Sequence, residues 1–248
     1  DRNLCVLPCF HIHGLSTVLA TVLTGGRVIP CSDFVADKFT QALVAHQASW
    51  LSATPVHYRA ILAAVRREGM APPPHSLRLL RSASAPMADD LAGELEQVFG
   101  VPLIQAYGMT EAGPQVASNG LSPADRRVGS VGRPAGAEVA IRPVEGIAAQ
   151  QVGAGEIVIR GDGVVQGYVQ DASAQDASAQ DASANHTPFR AGWFHTGDTG
   201  YLDEDGFLFV TGRIRELINS GGEKLSPREI ESVLQAHPAV RDAVAFAA

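Results

Sequence analysis

Over about the first 120 residues, short apolar runs alternate with helical patterns, and this alternation constrains the fold more than any other feature. Residues 50–53 and 101–106 are typical of buried strands, whereas residues 56–67 place Ile61, Leu62 and Val65 on one helical face. A helix between two strands carries the chain back to the edge where the next strand begins, so the strands pair in parallel. We therefore predict an α/β region at residues 1–127, with helices on the faces of a parallel sheet.

From residue 128 the pattern changes to short apolar runs, such as 138–141, 156–160 and 207–210, which are separated by Gly, Pro and Asp. This spacing is typical of a small antiparallel β region, and Asp205-Gly206 is a hairpin-turn signal. A five-residue repeat begins at Asp171, and it contains too little apolar surface to build a core. We assign residues 128–213 to a β-rich region that contains a disordered loop at 170–185.

A third pattern begins at residue 214. Ser226 and Pro227 predict the start of a helix, with Ser226 as its cap, and residues 240–247 indicate a strand. We assign residues 214–248 to a separate third region. The chain begins without Met and stops inside an apolar run, so we expect a fragment that is cut at both ends.

Charge and composition exclude several classes of function. The net charge is −7, which gives no basic surface of the kind that binds nucleic acid. The longest apolar run is far too short to cross a bilayer. Three cysteines without metal-ligand spacing are most simply free thiols in a reducing compartment, so we expect a cytoplasmic protein.

Residues 105–111 are the strongest candidate for a functional site, because polar side chains directly follow a predicted strand. Open α/β sheets bind their ligands at the carboxyl ends of their strands. Tyr107 offers an aromatic face to a base, Thr110 a hydroxyl to a phosphate, and Glu111 a carboxylate to Mg²⁺. A plain turn with a buried tyrosine stays open as the alternative.

Two later segments are weaker when taken alone. Asp198 follows a turn of small residues, where it can accept hydrogen bonds from ribose hydroxyls or simply close the turn. Arg213, Arg215 and Lys224 flank a Gly-Gly pair, which suits phosphate contact and backbone motion but equally suits a solvated linker.

In this order and spacing, the three segments resemble the adenylate-forming enzymes. That family includes acyl-CoA synthetases, coumarate–CoA ligases, firefly-type luciferases and the adenylation domains of peptide synthetases. Further matches are a histidine-bearing segment at 7–15, a small-residue loop at 81–86, and glycine-containing segments at 129–134, 155–157 and 167–168. The resemblance covers nearly the whole chain. It implies part of the family's large N-terminal domain, with βαβ layers and a small β-barrel-like region, followed by the start of its small α+β C-terminal domain.

The resemblance also implies residue roles. Catalysis would involve His11 as the gating histidine together with Thr110 and Glu111, and Glu111 would hold Mg²⁺. The acid pocket would contain His11, His13, Ser82 and Ser84. The hinge and the CoA-facing loop would contain Arg215, Gly221, Gly222 and Lys224. The nucleotide site would contain Ala85, Gln105, Ala106, Tyr107, Gly108, Met109, Thr110, Asp198 and Arg213.

The activity implied by the resemblance is that of an acid–thiol ligase. ATP would activate a carboxylic acid as its acyl-adenylate, and CoA would then displace AMP. The closest resemblance is to the branch that contains oxalate–CoA ligases, although medium-chain and aromatic acids stay open. A phosphate loop and a C-terminal catalytic lysine are missing from these residues, so we expect no useful activity from this chain alone. The alternatives are an adenylating module for a carrier protein and a non-catalytic AMP-binding relative.

Overall fold

The computed structural model describes residues 1–31, 34–67, 69, 72–144, 153–168, 188–220, 223–235, 237, 239–240 and 243–247. The chain forms two compact units, Asp1–Arg133 and Pro134–Ala248, which divide six residues after the predicted first boundary. A further boundary at 213/214 stays a prediction. The predicted disordered loop at 170–185 lies outside the described residues.

The first unit is built on a sheet with the strand order β2-β1-β3-β4-β5-β6-β7. The first five strands in this order pair in parallel, and β5 pairs antiparallel with β6. This arrangement confirms the predicted α/β class. The elements are β1 Arg2–Cys5, α1 Ile12–Leu23, β2 Arg27–Pro30, α2 Phe39–His46, β3 Trp50–Ala53, α3 Pro55–Arg67, β4 Leu79–Ser82, α4 Asp89–Phe99, β5 Leu103–Tyr107, β6 Ala117–Ser118 and β7 Arg133–Pro134.

The apolar core of this unit lies between the sheet and helices α2, α3 and α4. Its members include Leu43, Leu51, Ile61, Leu80 and Leu95, and each of these five side chains is completely buried. The predicted inward residues of α3 are therefore confirmed. Their burial is the main favourable contribution to the folding of this unit, at about 25 cal/mol per Å² of apolar surface removed from water.

Helix α1 has the opposite pattern, because the residues it buries are small or polar. His13, Thr17 and Thr21 are spaced four apart and lie on the buried side. The hydroxyl of Thr17 donates to the carbonyl of His13 at 2.7 Å, and the hydroxyl of Thr21 donates to the carbonyl of Thr17 at 2.7 Å. These bonds satisfy the threonine hydroxyls inside the helix, as burial of a polar group requires.

The second unit contains an antiparallel sheet with the order β10-β11-β9-β8, in which β12 pairs with β11. The predicted turn before β12 is confirmed. The Asp203 carboxylate accepts from the backbone N–H groups of Asp205 and Phe207, and Gly206 has a φ of +79°. The strands are β8 Glu138–Arg142, β9 Gly155–Arg160, β10 Phe189–Arg190, β11 Trp193–Leu202 and β12 Leu208–Arg213.

A short hairpin of β13 (Ile218–Ser220) and β14 (Glu223–Leu225) precedes α5 (Pro227–Gln235). The predicted helix is present and begins directly after Ser226, whose carbonyl accepts from Glu229 N at 3.1 Å and from Ile230 N at 3.4 Å. The Ser226 hydroxyl donates to the carbonyl of Thr211 at 2.9 Å. The strand predicted at 240–247 is wrong for the part that is described. Residues 240 and 243–247 are irregular, since no described strand pairs with them.

None of the helices in the described ranges combines the length and the apolar character that crossing a membrane requires.

Candidate functional site

Polar side chains gather in the first unit where β1, β3, β4 and β5 end. Because these strands are parallel, their carboxyl ends lie along one edge of the sheet. Helix α1 follows β1 and carries His13 in its first turn, Ser52 lies on β3, and Arg81 lies on β4. Two further groups complete the cluster: Ser84 lies two residues after the end of β4, and Gln115 lies between β5 and β6.

His13 is the centre of this cluster. Its Nδ1 lies 2.8 Å from Ser84 Oγ, its Nε2 lies 2.7 Å from Ser52 Oγ, and Arg81 Nη1 lies 3.2 Å from Nε2. A guanidinium can only donate, so Nε2 accepts, and the proton of the neutral ring therefore sits on Nδ1 and is donated to Ser84. We refer to His13, Ser52, Arg81, Ser84 and Gln115 as the histidine network.

Burial and charge both keep His13 neutral. His13 is only 7% exposed. Burial, followed by the positive charges of Arg81 and His57, lowers the pKa of His13 to about 4. At neutral pH the imidazole therefore offers a hydrogen bond of fixed direction and no charge.

Arg81 supplies the full positive charge of the histidine network. Besides His13, it donates from Nη1 to Ser52 Oγ and from Nη2 to Gln115 Oε1, each at 3.3 Å. All these acceptors are neutral, and burial lowers the pKa of the guanidinium. The sequence analysis named Arg81 only as the first residue of the loop 81–86 and gave it no role, and it missed Ser52 and Gln115 as site residues. An arginine in an otherwise apolar strand was the signal that could have given Arg81 a role.

The two serines of the predicted acid pocket have different surroundings. Ser84 bonds to His13 and has a φ of +73°, a left-handed conformation that costs a residue with a side chain about 1 kcal/mol. Ser82 is 2% exposed, and its hydroxyl has no hydrogen-bond partner among the described residues. The structure therefore joins Ser84 to His13 by a hydrogen bond and leaves Ser82 outside the histidine network. Ala85 follows Ser84 and is exposed.

His11 also lies outside the histidine network. It precedes α1 in an extended conformation, with its ring centroid 4.6 Å from that of Phe10. Phe10 is 85% exposed, and His11 is exposed as well. The buried histidine of this segment is His13, two residues further on. A gating role for His11 stays a prediction.

The nucleotide segment predicted at 105–111 begins inside β5 and turns back sharply. Tyr107 O accepts from Val116 N at 2.9 Å, and Gln105 O accepts from Asn119 N at 3.0 Å, so the chain returns alongside itself. A Cβ on Gly108 would lie 1.6 Å from the carbonyl oxygen of Pro114, which explains why this position has no side chain. Ala106 is buried, Tyr107, Gly108, Met109 and Glu111 are partly buried, and Thr110 is exposed.

Glu111 is the predicted metal ligand. It lies in the short turn Thr110–Ala112, and its side chain remains partly accessible. The part of the chain that the structure describes contains no group of three or more side chains able to hold a metal together. A single carboxylate fits Mg²⁺, which proteins commonly hold with one or two carboxylates while substrate phosphates and water complete its shell.

In the second unit, the pairing register of β11 with β12 determines where Asp198 lies. Asp198 on β11 lies opposite Arg213 on β12, with its Oδ1 3.0 Å from Arg213 Nε. Asp198 is only 5% exposed, whereas two-thirds of the Arg213 side chain is exposed. The predicted pair is thus brought together as an ion pair with one buried and one exposed partner.

A bulge in β11 between His195 and Thr199 turns Asp198 into this position. Glu156 on β9 holds the bulge: its Oε2 lies 2.7 Å from His195 Nδ1, and its Oε1 accepts from Gly197 N at 3.2 Å. The sequence analysis named Glu156 only within the segment 155–157 and gave it no role at Asp198, which lies about forty residues further along the chain.

The residues predicted for the hinge and CoA loop are spread over a short stretch. Arg215 is exposed in the turn Ile214–Glu216, and Lys224 lies on β14 opposite Asn219. Gly221 and Gly222 lie outside the described residues.

In the first unit, a polar segment follows β5 at the carboxyl ends of the parallel strands, which is where open α/β sheets bind their ligands. The chain belongs to the AMP-binding enzyme family, whose family model matches residues 1–169.

Among its relatives, the protein named "Probable CoA ligase CCL9" of Humulus lupulus is 43% identical over 99% of this chain and 46% of its own length. The oxalate–CoA ligase of Arabidopsis thaliana is 40% identical over the same shares. Among solved structures, o-succinylbenzoate CoA synthetase of Bacillus subtilis in complex with its acyl-adenylate intermediate is 35% identical. That match has a TM-score of 0.78 and covers 98% of this chain and 47% of the other. The chain thus spans about half the length of the relatives it matches.

Proposed function

We propose that the protein containing this chain is an AMP-forming CoA ligase, which activates a carboxylic acid as an acyl-adenylate and transfers the acyl group to CoA. The observation that carries the proposal is the shared sheet edge of the segment 105–111 and the histidine network, in a chain of the AMP-binding family. Two relatives named for CoA-ligating activity support this choice: the oxalate–CoA ligase is 40% identical to this chain, and the o-succinylbenzoate CoA synthetase is 35% identical.

In the first half-reaction, one oxygen of the acid attacks the α-phosphorus of ATP, and pyrophosphate leaves. A carboxylate is a weak nucleophile, so rate depends on holding it in line and on neutralising the phosphate charge. Thr110 donates its hydroxyl to the α-phosphate, and Tyr107 stacks on the adenine ring. Glu111 would hold Mg²⁺, which supplies charge neutralisation at the phosphates.

Asp198 accepts hydrogen bonds from the ribose hydroxyls in this proposal. Its low exposure suits the role, since a carboxylate shielded from water binds hydroxyl donors more strongly. Arg213 pairs with this carboxylate and contacts the ribose or a phosphate. Ala85, Gln105, Ala106, Gly108 and Met109 form the remaining wall of the nucleotide site.

In the second half-reaction, the CoA thiolate attacks the acyl carbonyl, and AMP leaves. Arg215 is the proposed hinge about which the C-terminal residues move between the two half-reactions. Gly221, Gly222 and Lys224 form the loop that approaches CoA. A cytoplasmic location completes the proposal, supported by the three free cysteines, Cys5, Cys9 and Cys31.

The acid we favour is a small dicarboxylate in a pocket whose wall includes His11, His13, Ser82 and Ser84. Oxalate and o-succinylbenzoate, the acids named for two of the relatives, each carry two carboxylates. A dianion in a pocket needs several donors or a cation, and the first unit offers both at the histidine network. Fatty acids are the competing class.

Pyrophosphate release tests the proposal. The protein at its natural full length would receive ATP, Mg²⁺ and one acid from a panel of oxalate, coumarate, octanoate and amino acids, with and without CoA. We expect release with a dicarboxylate, and AMP with a thioester once CoA is present. The 248-residue chain alone should release none. If the intact protein binds AMP but none of the acids on the panel causes release of pyrophosphate, the protein is a non-catalytic AMP-binding relative instead.

A further inference from the structure

Arg81 lies at the sheet edge without an anionic partner among the described residues. Its acceptors are His13 Nε2, Ser52 Oγ and Gln115 Oε1, and all three are neutral. Tyr58 lies beside this residue, and its hydroxyl donates to the Arg81 carbonyl at 2.8 Å. A partly buried cation that lacks a counter-charge is costly, so its presence at a site calls for an anionic ligand.

The guanidinium also has donor capacity left. The bonds to His13 and Ser52 come from Nη1, and the bond to Gln115 comes from Nη2. The Nε–H and the second Nη2–H have no acceptor among the described residues. Arg81 is partly buried rather than closed off, so a small ligand has access to it. A guanidinium can bind the two oxygens of a carboxylate through its Nε–H and one Nη2–H.

His13 adds no positive charge to that of Arg81. Its Nε2 accepts from Arg81 and its Nδ1–H is donated to Ser84, so the ring is neutral and adds no second cation. The other titratable groups that face this part of the network are His57 and Tyr58, both on α3. Burial lowers the pKa of His57 and raises that of Tyr58, so both are neutral near pH 7. One positive charge therefore dominates the network.

We infer that Arg81 is a specificity-determining residue: it binds a second anionic group on the acid, and so selects acids with two anionic groups over acids with one. The inference rests on the proposed function, since it places the acid at this edge of the sheet. Ser52 and Gln115 orient the guanidinium, and His13 and Ser84 fix its position from the side of α1.

The test compares pairs of acids that differ by one anionic group, malonate with propionate and oxalate with glyoxylate. Pyrophosphate release by the intact protein is measured for the wild type, Arg81→Met and Arg81→Lys. We expect the wild type to prefer the dianions. Arg81→Met should lose about 100-fold in kcat/KM for the dianions and stay within about threefold for the monoanions, with the KM for ATP little changed. Arg81→Lys keeps the charge but not the paired donors, so about a tenfold loss is expected.

Arg78→Met is the matched control, because Arg78 is exposed and pairs with Asp1 at the surface. It should leave the preference between dianion and monoanion as it is in the wild type. If Arg81→Met lowers both kinds of acid equally, or leaves the preference unchanged, Arg81 has only a structural role and the inference is overturned. Arg81→Lys decides the question should the methionine variant fail to fold.

A second measurement separates this inference from the proposed function. If the intact wild type releases no pyrophosphate with any acid, the ligase proposal fails. Calorimetric titration with oxalate and with glyoxylate then tests Arg81 directly. Binding of oxalate by the wild type but not by Arg81→Met would support an anion-binding site at Arg81. Equal binding by both proteins, or by neither, would overturn it.

Discussion

The two units present their polar groups in different ways. In the first unit, side chains far apart in the sequence, at positions 13, 52, 81, 84 and 115, meet through side-chain hydrogen bonds at the ends of parallel strands. In the second unit, Asp198 reaches its place through the ladder between β11 and β12 and a bulge beside β9. The first arrangement depends on the whole sheet order, whereas the second depends on three neighbouring strands.

The two sites also differ in how their charge is compensated. Arg81 is surrounded by neutral acceptors, whereas the carboxylate of Asp198 already has Arg213 as its partner. Adding an anion to the first site therefore relieves an unpaired charge, while adding neutral hydroxyls to the second leaves its charge balance as it was. The first site should consequently depend strongly on charge, and the second on geometry.

The largest expected effect comes from filling the close contact at Gly108 in the first unit. In Gly108→Ala, the new Cβ would lie 1.6 Å from the Pro114 carbonyl oxygen, and both atoms are held by backbone. We expect a loss of about 4 kcal/mol in the free energy of unfolding. Denaturant unfolding followed by tryptophan fluorescence reads this unit alone in a Trp193→Phe background, where Trp50 on β3 is the remaining tryptophan.

Gly93→Ala is the control for that measurement. Gly93 lies inside α4, and a Cβ there would meet nothing within 4 Å. Alanine should stabilise the helix by about 0.5–1 kcal/mol, because it loses less backbone freedom on folding. Equal stability of Gly108→Ala and the wild type would mean that the chain between β5 and β6 does not pack as described.

The second largest effect is a loss of stability in acid through His13. The pKa of this ring is about 4 in the folded protein, against 6.5 for an ordinary histidine. Between these values the unfolded chain binds a proton that the folded protein does not, so stability is complete above pH 6.5 and falls as the pH drops towards 4. The loss from this one group approaches about 3 kcal/mol.

His13→Gln isolates this contribution, because glutamine keeps a donor and an acceptor but does not titrate. The wild type should lose about 3 kcal/mol more than His13→Gln between pH 7 and pH 4, in unfolding curves read from Trp50. Burial also lowers the pKa values of His57 and His75, so both proteins should lose further stability in parallel. Parallel curves for the two proteins over the whole range would show that His13 is protonated in the folded state.

The contrast between the units also explains what the sequence predicted. Strands such as β3 and β9 and the turn at Asp205-Gly206 follow from local periodicity and turn chemistry, and they are confirmed. The expected strand after Val240 is wrong in its described part, because a strand needs a neighbour that periodicity does not reveal. The polar inner side of α1 went unpredicted, since an apolar stripe at Leu15, Leu19 and Val22 points outward.

For the candidate site, the sequence predicted local motifs and missed residues that connect them. Asp198 and Arg213 were both predicted, and their pairing follows from the hairpin that joins them. Arg81 and Gln115 meet only because β4 and β5 are neighbours in the sheet. Glu156 belongs to the predicted segment 155–157, but its bond to His195, about forty residues away, does not follow from that segment. Such contacts depend on strand order, which a single sequence does not specify.

A smaller effect should follow from Asp198→Asn in the second unit. Asparagine keeps the shape but gives up the charge that strengthens hydrogen bonds to ribose hydroxyls. We expect AMP to bind about 30-fold more weakly, or about 2 kcal/mol, in calorimetric titrations of the intact protein. Asp162→Asn, at an exposed position after β9, should bind AMP like the wild type. Unchanged affinity in Asp198→Asn would remove this residue from the nucleotide site.

The smallest effect tests whether geometry alone governs the second site. In Glu156→Gln, the bonds to His195 and Gly197 weaken while the side chain keeps its size. The bulge should then hold Asp198 less firmly, and AMP affinity should fall about fivefold, or about 1 kcal/mol. Glu138→Gln on the neighbouring β8 removes only an exposed pair with Arg160, so its AMP affinity should match the wild type. If both variants bind AMP equally well, the backbone ladder fixes the bulge without Glu156, and the second site depends still more on local register than the first.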